Sequence, residues 1–139
     1  MRASNRGFTL VEIIMVVAII AIIGAFALPA YQNNVIKSRR VDAQGALMGL
    51  ANAMERYYSQ NNTYENATVG SGGIFPNQSP LDGSKKYYDI ALSSATATGY
   101  TATATPTGSQ AGDGQLSLDS TGTREWNSLD DGSGTAKNW

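Results

Sequence analysis

Three residues near the start of this chain have types and spacing that could do chemistry: Gly7, Phe8 and Glu12. Gly7-Phe8 is the one junction-like site ahead of a long apolar run. Cleavage there would remove a short basic leader and create an α-amino group on Phe8. Glu12 is a carboxylate lodged one helical turn further on. An acidic group at the centre of a membrane span costs roughly 2.5–3.5 kcal/mol, and less off-centre, as here. A carboxylate in such a place calls for a partner. The Phe8 amine, in the same chain or a neighbouring one, is the cation within reach.

The element that positions these groups is an apolar helix. Between Ile13 and Ile36 there is no charged residue. A bilayer core needs about 20 apolar residues as helix, which residues 8–30 supply. Arg2 and Arg6 precede the run and hold the N-terminus in the cytoplasm by the positive-inside rule, leaving the remainder outside. A secretory signal is cut after its apolar region; here the junction comes before it, so the anchor would stay on the mature chain. The expected organisation is a removed leader at 1–7, a membrane and assembly helix at 8–30, and a globular head at 31–139.

Gly7-Phe8-Thr9-Leu10-Val11-Glu12, followed by this apolar run and Pro29, closely resembles the type III signal of type IV pilins. The resemblance implies that a prepilin peptidase cuts after Gly7 and N-methylates Phe8. It also implies that Phe8, Glu12, Gly24 and Pro29 serve assembly. Pro29 removes one helical hydrogen bond and obstructs another, so a kink or local break is expected; Gly24 weakens the same stretch by about 1 kcal/mol relative to alanine. Pilins sharing this proline melt there in the filament, and the resemblance carries that expectation over.

Further along, after Tyr31, the residues Ile36, Arg40, Ala43, Leu47, Leu50, Met54 and Tyr57 recur at alternating spacings of four and three, predicting an amphipathic helix over 31–60 with Asn61-Asn62 as its stop. Residues 61–86, broken by Gly70, Gly72, Gly73, Pro76 and Pro80, read as a long αβ-loop. Three stretches then alternate with period two: Tyr88, Ile90, Leu92; Tyr100, Ala102, Ala104; Leu116, Leu118. A short fourth strand near 123–126 makes a sheet over 87–126, and 127–139 reads as an irregular tail anchored by Trp126 and Trp139. The fold class is α+β: a long N-terminal helix packed on a three- to four-stranded antiparallel sheet. Glu55-Arg-Tyr-Tyr-Ser-Gln-Asn-Asn-Thr-Tyr64, Tyr87-Tyr-Asp-Ile-Ala-Leu, Gly99-Tyr-Thr-Ala-Thr-Ala-Thr-Pro106 and Leu116-Ser-Leu-Asp-Ser-Thr-Gly-Thr-Arg124 extend the resemblance to PilE-like type IVa pilins. Such pilins usually close the C-terminal region with a disulfide. The corresponding neighbourhoods here read Asp113-Gly-Gln-Leu and Lys137-Asn-Trp139, so packing and hydrogen bonds must hold the tail.

Composition narrows the function. The chain has 139 residues, no cysteine and no histidine. That excludes disulfides, Cys/His metal sites, cysteine nucleophiles and histidine bases. No nucleophile–base constellation is visible, and no catalytic residue, cofactor or metal is expected. Asn127-Ser-Leu-Asp-Asp-Gly132 fails the calcium-loop pattern because Leu129 stands where an oxygen ligand is needed. Loss of Arg2 and Arg6 would take the basic count from 10 to 8 against 11 acidic residues, too mild for a nucleic-acid surface overall. Two small basic clusters stand out: Lys37-Ser-Arg-Arg40, expected on a solvated face just outside the membrane, and Lys85-Lys86, placed to touch DNA or a surface.

The expected function is a structural subunit of a type IV pilus, held in the inner membrane before assembly and extracellular after it. Its partners would be like pilin subunits, prepilin peptidase and the inner-membrane assembly machinery, with a host surface or DNA as ligand. The alternatives are a type II secretion pseudopilin and a low-copy minor pilin acting as tip adhesin or DNA receptor.

Overall fold

The computed structural model describes residues 7–127 and 136–139. Arg2 and Arg6 of the leader, and most of the Asn127–Gly132 segment weighed for calcium, lie outside the described residues. The chain divides into two compact units, Met1–Val35 and Ile36–Trp139, with one helix, α1 (Leu10–Asn61), contributing to both.

In the first unit the described residues are α1 and its approach. Residues 10–35 bury no side chain; only Gly24 and Val35 are partly covered. The β-branched isoleucines and valines are mediocre helix formers in water, but a spanning segment must satisfy its backbone internally, and a helix does so. α1 runs unbroken through Pro29. The local break expected there is absent, because one missing amide leaves the neighbouring bonds intact.

In the second unit α1 becomes amphipathic. Ala43, Ala46, Leu47, Leu50, Ala53 and Met54 are buried at helical spacing on one stripe. The helix stops where Asn62 takes φ +54° and donates its amide to Tyr58 O at 2.7 Å, a left-handed cap that asparagine tolerates.

Among the described residues six strands follow as an antiparallel meander in chain order: β1 (Gln78–Ser79), β2 (Tyr88–Ala95), β3 (Tyr100–Pro106), β4 (Gln115–Asp119), β5 (Arg124–Asn127) and β6 (Ala136–Lys137). β2 to β4 are the three strands the alternation predicts, and β5 is the short fourth strand expected near 123–126. β1 and β6 are two-residue edges, too short to show a period, and β6 lies in the stretch read from sequence as irregular. Pairing of Ile90 with Ala104, Leu92 with Ala102, Ala104 with Leu116 and Ala102 with Leu118 lines one sheet face with apolar residues. That face forms a single core with the buried stripe of α1.

The αβ-loop is tied down rather than loose. Tyr64 is buried against Tyr58 and Tyr100, with ring centroids 4.6 and 5.0 Å apart, and donates to Glu55 Oε1 at 3.0 Å. Phe75 seats on α1 at Gly49, where a Cβ would lie 2.8 Å from its ring.

Candidate functional site

The N-terminal constellation begins with Thr9. Its hydroxyl accepts the Glu12 amide at 3.2 Å, and its carbonyl accepts the Ile13 amide at 3.2 Å. Thr9-Leu-Val-Glu12 therefore has the spacing of a helix capping box, with the threonine half formed. Sequence reasoning overlooked it, although the Thr-x-x-Glu signal was there to read. Glu12 sits in the first turn of α1, where a negative charge also complements the helix dipole. Phe8 and Glu12 both lie at this helix start and are both exposed.

Gly24 and Pro29 lie elsewhere on α1, Gly24 about 18 Å along the helix from Glu12 at 1.5 Å per residue. One chain does not bring these residues together. Nor does it explain Gly24, where an added Cβ would meet nothing within 4 Å.

The head carries a second constellation that the sequence did not announce. Arg40 is not on a solvated face. Its guanidinium forms a two-pronged ion pair with Asp113, the Nε–Oδ2 arm measuring 2.8 Å. Its flat face lies 3.6 Å from the Trp126 ring centroid. Trp126 Nε1 donates to the Asp113 backbone carbonyl at 2.7 Å, and the Tyr88 hydroxyl donates to the Asp113 carboxylate. Gln110 donates to Tyr88 Oη at 3.2 Å and to Ile36 O at 2.9 Å.

Arg39 repeats the pattern on the neighbouring side, 3.8 Å from the Tyr87 ring and 3.1 Å from Ser109 Oγ. These contacts fasten the β3–β4 connection, with its short 3₁₀ turn at Gly108–Gln110, onto α1.

The electrostatics follow from the geometry. Burial pushes the Asp113 carboxyl up, but the Arg40 guanidinium and the Tyr88 hydroxyl outweigh it and hold the acid below its ordinary range. The bond to Asp113 raises Arg40 despite burial. Burial, then the adjacent Asp113 carboxylate, raises Tyr88 well above ordinary tyrosine. All three groups are therefore fixed in one protonation state over the ordinary pH range. The cluster is a latch, with no group poised to exchange a proton.

Asp113 stands two residues before β4, in the neighbourhood where the related pilins' cysteine is expected. The tail is held separately: Trp139 Nε1 donates to Glu125 O at 2.9 Å, Arg124 lies 5.5 Å from the Trp139 ring, and β6 pairs with β5. Of the second basic cluster, Lys86 is turned inward, donating to Pro80 O at 2.7 Å and Leu81 O at 3.2 Å. Lys85 alone of that pair is exposed.

With this geometry established, comparison with known proteins is informative. Residues 29–117 match the family described as type IV minor pilin ComP, DNA uptake sequence receptor, and residues 2–28 match the prokaryotic N-terminal methylation motif. The fimbrial protein EcpC of Eikenella corrodens is 41% identical over 68 residues, 48% of this chain and 44% of that protein. The type IV major pilin protein PilE1 of Neisseria gonorrhoeae is 32% identical over 87 residues, 63% of this chain and 51% of that one. The chain thus spans about half the length of these curated relatives. Among solved structures, the non-core minor pilin PilV of Neisseria meningitidis has the same fold. Its TM-score is 0.51 at 21% identity, over 76% of this chain and 90% of that one.

Proposed function

We infer the function of this chain from its family: it belongs to the type IV pilins, within the family described as type IV minor pilin ComP, DNA uptake sequence receptor. On that premise it is a pilus subunit that polymerises through the first half of α1. The observation that carries this reading is the exposure of residues 10–35, an apolar helix with no cover of its own and a carboxylate in its first turn.

Prepilin peptidase cuts Gly7-Phe8 and methylates Phe8. Before assembly the helix sits in the inner membrane with its N-terminus cytoplasmic; the assembly machinery then moves it from lipid into a bundle of like helices in an extracellular filament. Lipid and bundle are similarly apolar, so close packing and polar pairing guide the transfer. Gly24 admits close helix approach, and the Gly24–Pro29 stretch is where the helix gives way in the filament. Glu12 faces the Phe8 amine of an adjacent subunit, an attraction strengthened by the low dielectric. The contact is heterologous, and its repetition builds an open helix rather than a closed ring.

The test is Glu12→Ala. The precursor is still processed to an N-terminal methylated Phe8, read by mass spectrometry, and the protein stays in the membrane, while sheared filaments are lost. Abundant normal filaments from this variant would refute the assembly role.

A second reading, a low-copy DNA receptor within a filament of other pilins, is favoured by the description of the matching family. Its mark is low abundance in sheared filaments together with DNA-uptake loss on deletion while filaments persist.

A further inference from the structure

Beside the β3–β4 connection, where the charge-free run of α1 ends, lies a cavity of about 200 Å³ lined by Ile36, Ser109, Gln110, Gly112 and Asp113. Gln110 is 1% exposed. Its side-chain nitrogen donates to Ile36 O and to the Tyr88 hydroxyl. Its Oε1 is buried and accepts nothing. A buried acceptor without a donor is costly, so the cavity has a use for a hydrogen-bond donor. A single water, at roughly 30 Å³, would leave most of the space unfilled.

The walls narrow the kind of donor. Both Asp113 oxygens are engaged by Arg40, and Oδ2 by Tyr88 as well. That carboxylate is spent, so an ammonium or metal ion entering here would meet the Arg40 guanidinium with no free counter-charge. A neutral hydroxyl meets no such penalty. Beside the cavity the free charge is positive. Arg39 gives one N–H to Ser109 Oγ and one face to the Tyr87 ring. Those contacts hold the guanidinium in place and leave others of its five donors to bind. Lys37 follows Ile36 directly, is exposed, and has no hydrogen bond or ion pair among the described residues. The first carboxylate after them on α1, Asp42, lies further from the span.

Position along the chain says what carries the hydroxyl. A hydrocarbon core of about 30 Å takes about 20 helical residues, which from Glu12 reaches about residue 32. Ile36 lies about 6 Å further on at 1.5 Å per residue, within the headgroup layer of about 5–8 Å on each side of the core.

We propose that this cavity is a lipid headgroup site. Lys37 and Arg39 take the phosphate of phosphatidylglycerol, and the glycerol hydroxyls enter the cavity, one of them donating to Gln110 Oε1. The site is filled while the subunit is held in the inner membrane, so it rests on that stage of the pilus reading above. Free glycerol phosphate has the same chemistry; the lipid is the source because the site stands at headgroup depth.

The test uses the full chain, extracted from membranes in mild detergent and offered phosphatidylglycerol, phosphatidic acid and phosphatidylethanolamine in equal amounts. Native mass spectrometry reads the lipid retained. Phosphatidylglycerol is retained at least about fivefold over phosphatidic acid, which lacks the hydroxyls, and over phosphatidylethanolamine, which puts an ammonium in their place. Equal retention of the two anionic lipids overturns the cavity as the headgroup site. Preference for phosphatidylethanolamine overturns the choice of a neutral donor. Glycerol 1-phosphate binding as strongly as the lipid overturns the membrane as its source.

Two variants separate cavity from charge. An added Cβ at Gly112 meets nothing within 4 Å, so Gly112→Leu occupies the cavity edge without displacing the head. It removes the preference for phosphatidylglycerol and leaves the weaker retention of both anionic lipids; a preference that persists overturns the site. Lys37→Gln lowers retention of both anionic lipids about fivefold, as loss of one cation near a membrane surface does. Lys37 is exposed and its replacement leaves the fold alone, so unchanged retention in that variant overturns the proposal by itself. The pilus reading fails by a different sign: filaments of the unaltered strain that lack this chain and persist on its deletion.

Discussion

Within the one helix α1, residues 10–35 and residues 36–61 invert the usual relation between apolar content and burial. The first stretch is aliphatic almost throughout and covered almost nowhere. The second carries Lys37, Arg39, Arg40, Asp42, Glu55 and Arg56 and yet contributes six buried side chains to the core. The same local structure thus serves two solvents. Where the chain supplies a sheet to pack against, an apolar stripe suffices. Where it supplies nothing, the whole circumference is apolar, and lipid or neighbouring helices must act as the interior. Polar groups follow the same division: Arg40 finds its counter-ion within the head, whereas Glu12, among the described residues, finds only its own helix cap.

This contrast makes separable predictions, and the largest concerns the latch. Replacing Arg40 by alanine leaves Asp113 buried without its cation and strips the face of Trp126. The head should lose about 3 kcal/mol, the lower end of the range for breaking a buried pair, measured by denaturant unfolding of the full chain in detergent. Because the groups act together, the Arg40→Ala/Asp113→Ala pair should cost less than the sum of the two single changes.

The pH dependence has a definite sign. Asp113 is held below its ordinary value of 3.8, so its contribution is complete above that value and is lost as pH falls through the lowered one. Tyr88 is held above its ordinary value of 10.0, so its contribution is complete below pH 10 and is lost as pH rises beyond it. Asp113→Asn should flatten the acid limb. An unchanged limb would remove the latch as the source of acid sensitivity. Neither substitution should alter membrane retention, which belongs to the other half of the helix.

A smaller effect should come from Gly49→Leu. An added Cβ there meets the Phe75 ring at 2.8 Å, and overpacking of this kind costs about 1–3 kcal/mol. Its measurable sign is release of the αβ-loop: faster amide exchange around Val69 and Phe75, with the pairing of β2 to β5 preserved. Protection unchanged throughout the loop would show that Phe75 is not what seats it.

Much of this was legible in the sequence, for physical reasons that differ by region. The helix over the head was readable because Ala43, Leu47, Leu50 and Met54 repeat with its period. Three of the four main strands were readable because residues such as Ile90, Ala102 and Leu118 alternate with polar neighbours, and the fourth because the turn Ser120-Thr-Gly122 precedes it. The latch was not. Arg40 and Asp113 are 73 residues apart, and a charge in the midst of an apolar stripe gives no sign of which loop will neutralise it. Arg40 recurring in register with Ala43 and Leu47 was the available hint that it faces inward. β1 and β6 escaped because two residues hold no period, and Lys86 because an ammonium serving two carbonyls of its own loop resembles any surface lysine.

The smallest predicted change in stability bears on the helix start at Glu12, the residue whose role both halves of the comparison dispute. The helix-cap geometry offers a local account of it: Thr9 receives the Glu12 amide, and a carboxylate in the first turn suits the helix dipole. If capping were its whole task, Thr9→Ala and Glu12→Ala would act alike, each loosening the first turn by about 1 kcal/mol. If Glu12 pairs with a neighbour's Phe8 amine, the two changes part company. Thr9→Ala should fray the helix start slightly and leave filament yield near normal, while Glu12→Ala abolishes filaments with the helix start largely intact. Glu12→Gln sharpens the distinction, because it keeps a polar acceptor near the cap and removes only the charge. Filaments from Glu12→Gln at wild-type yield, with Thr9→Ala equally harmless, would return Glu12 to the status of a helix cap. Loss in Glu12→Gln alone would identify the charge, which no group in the described residues of its own unit balances, as the part of the first turn that belongs to the filament.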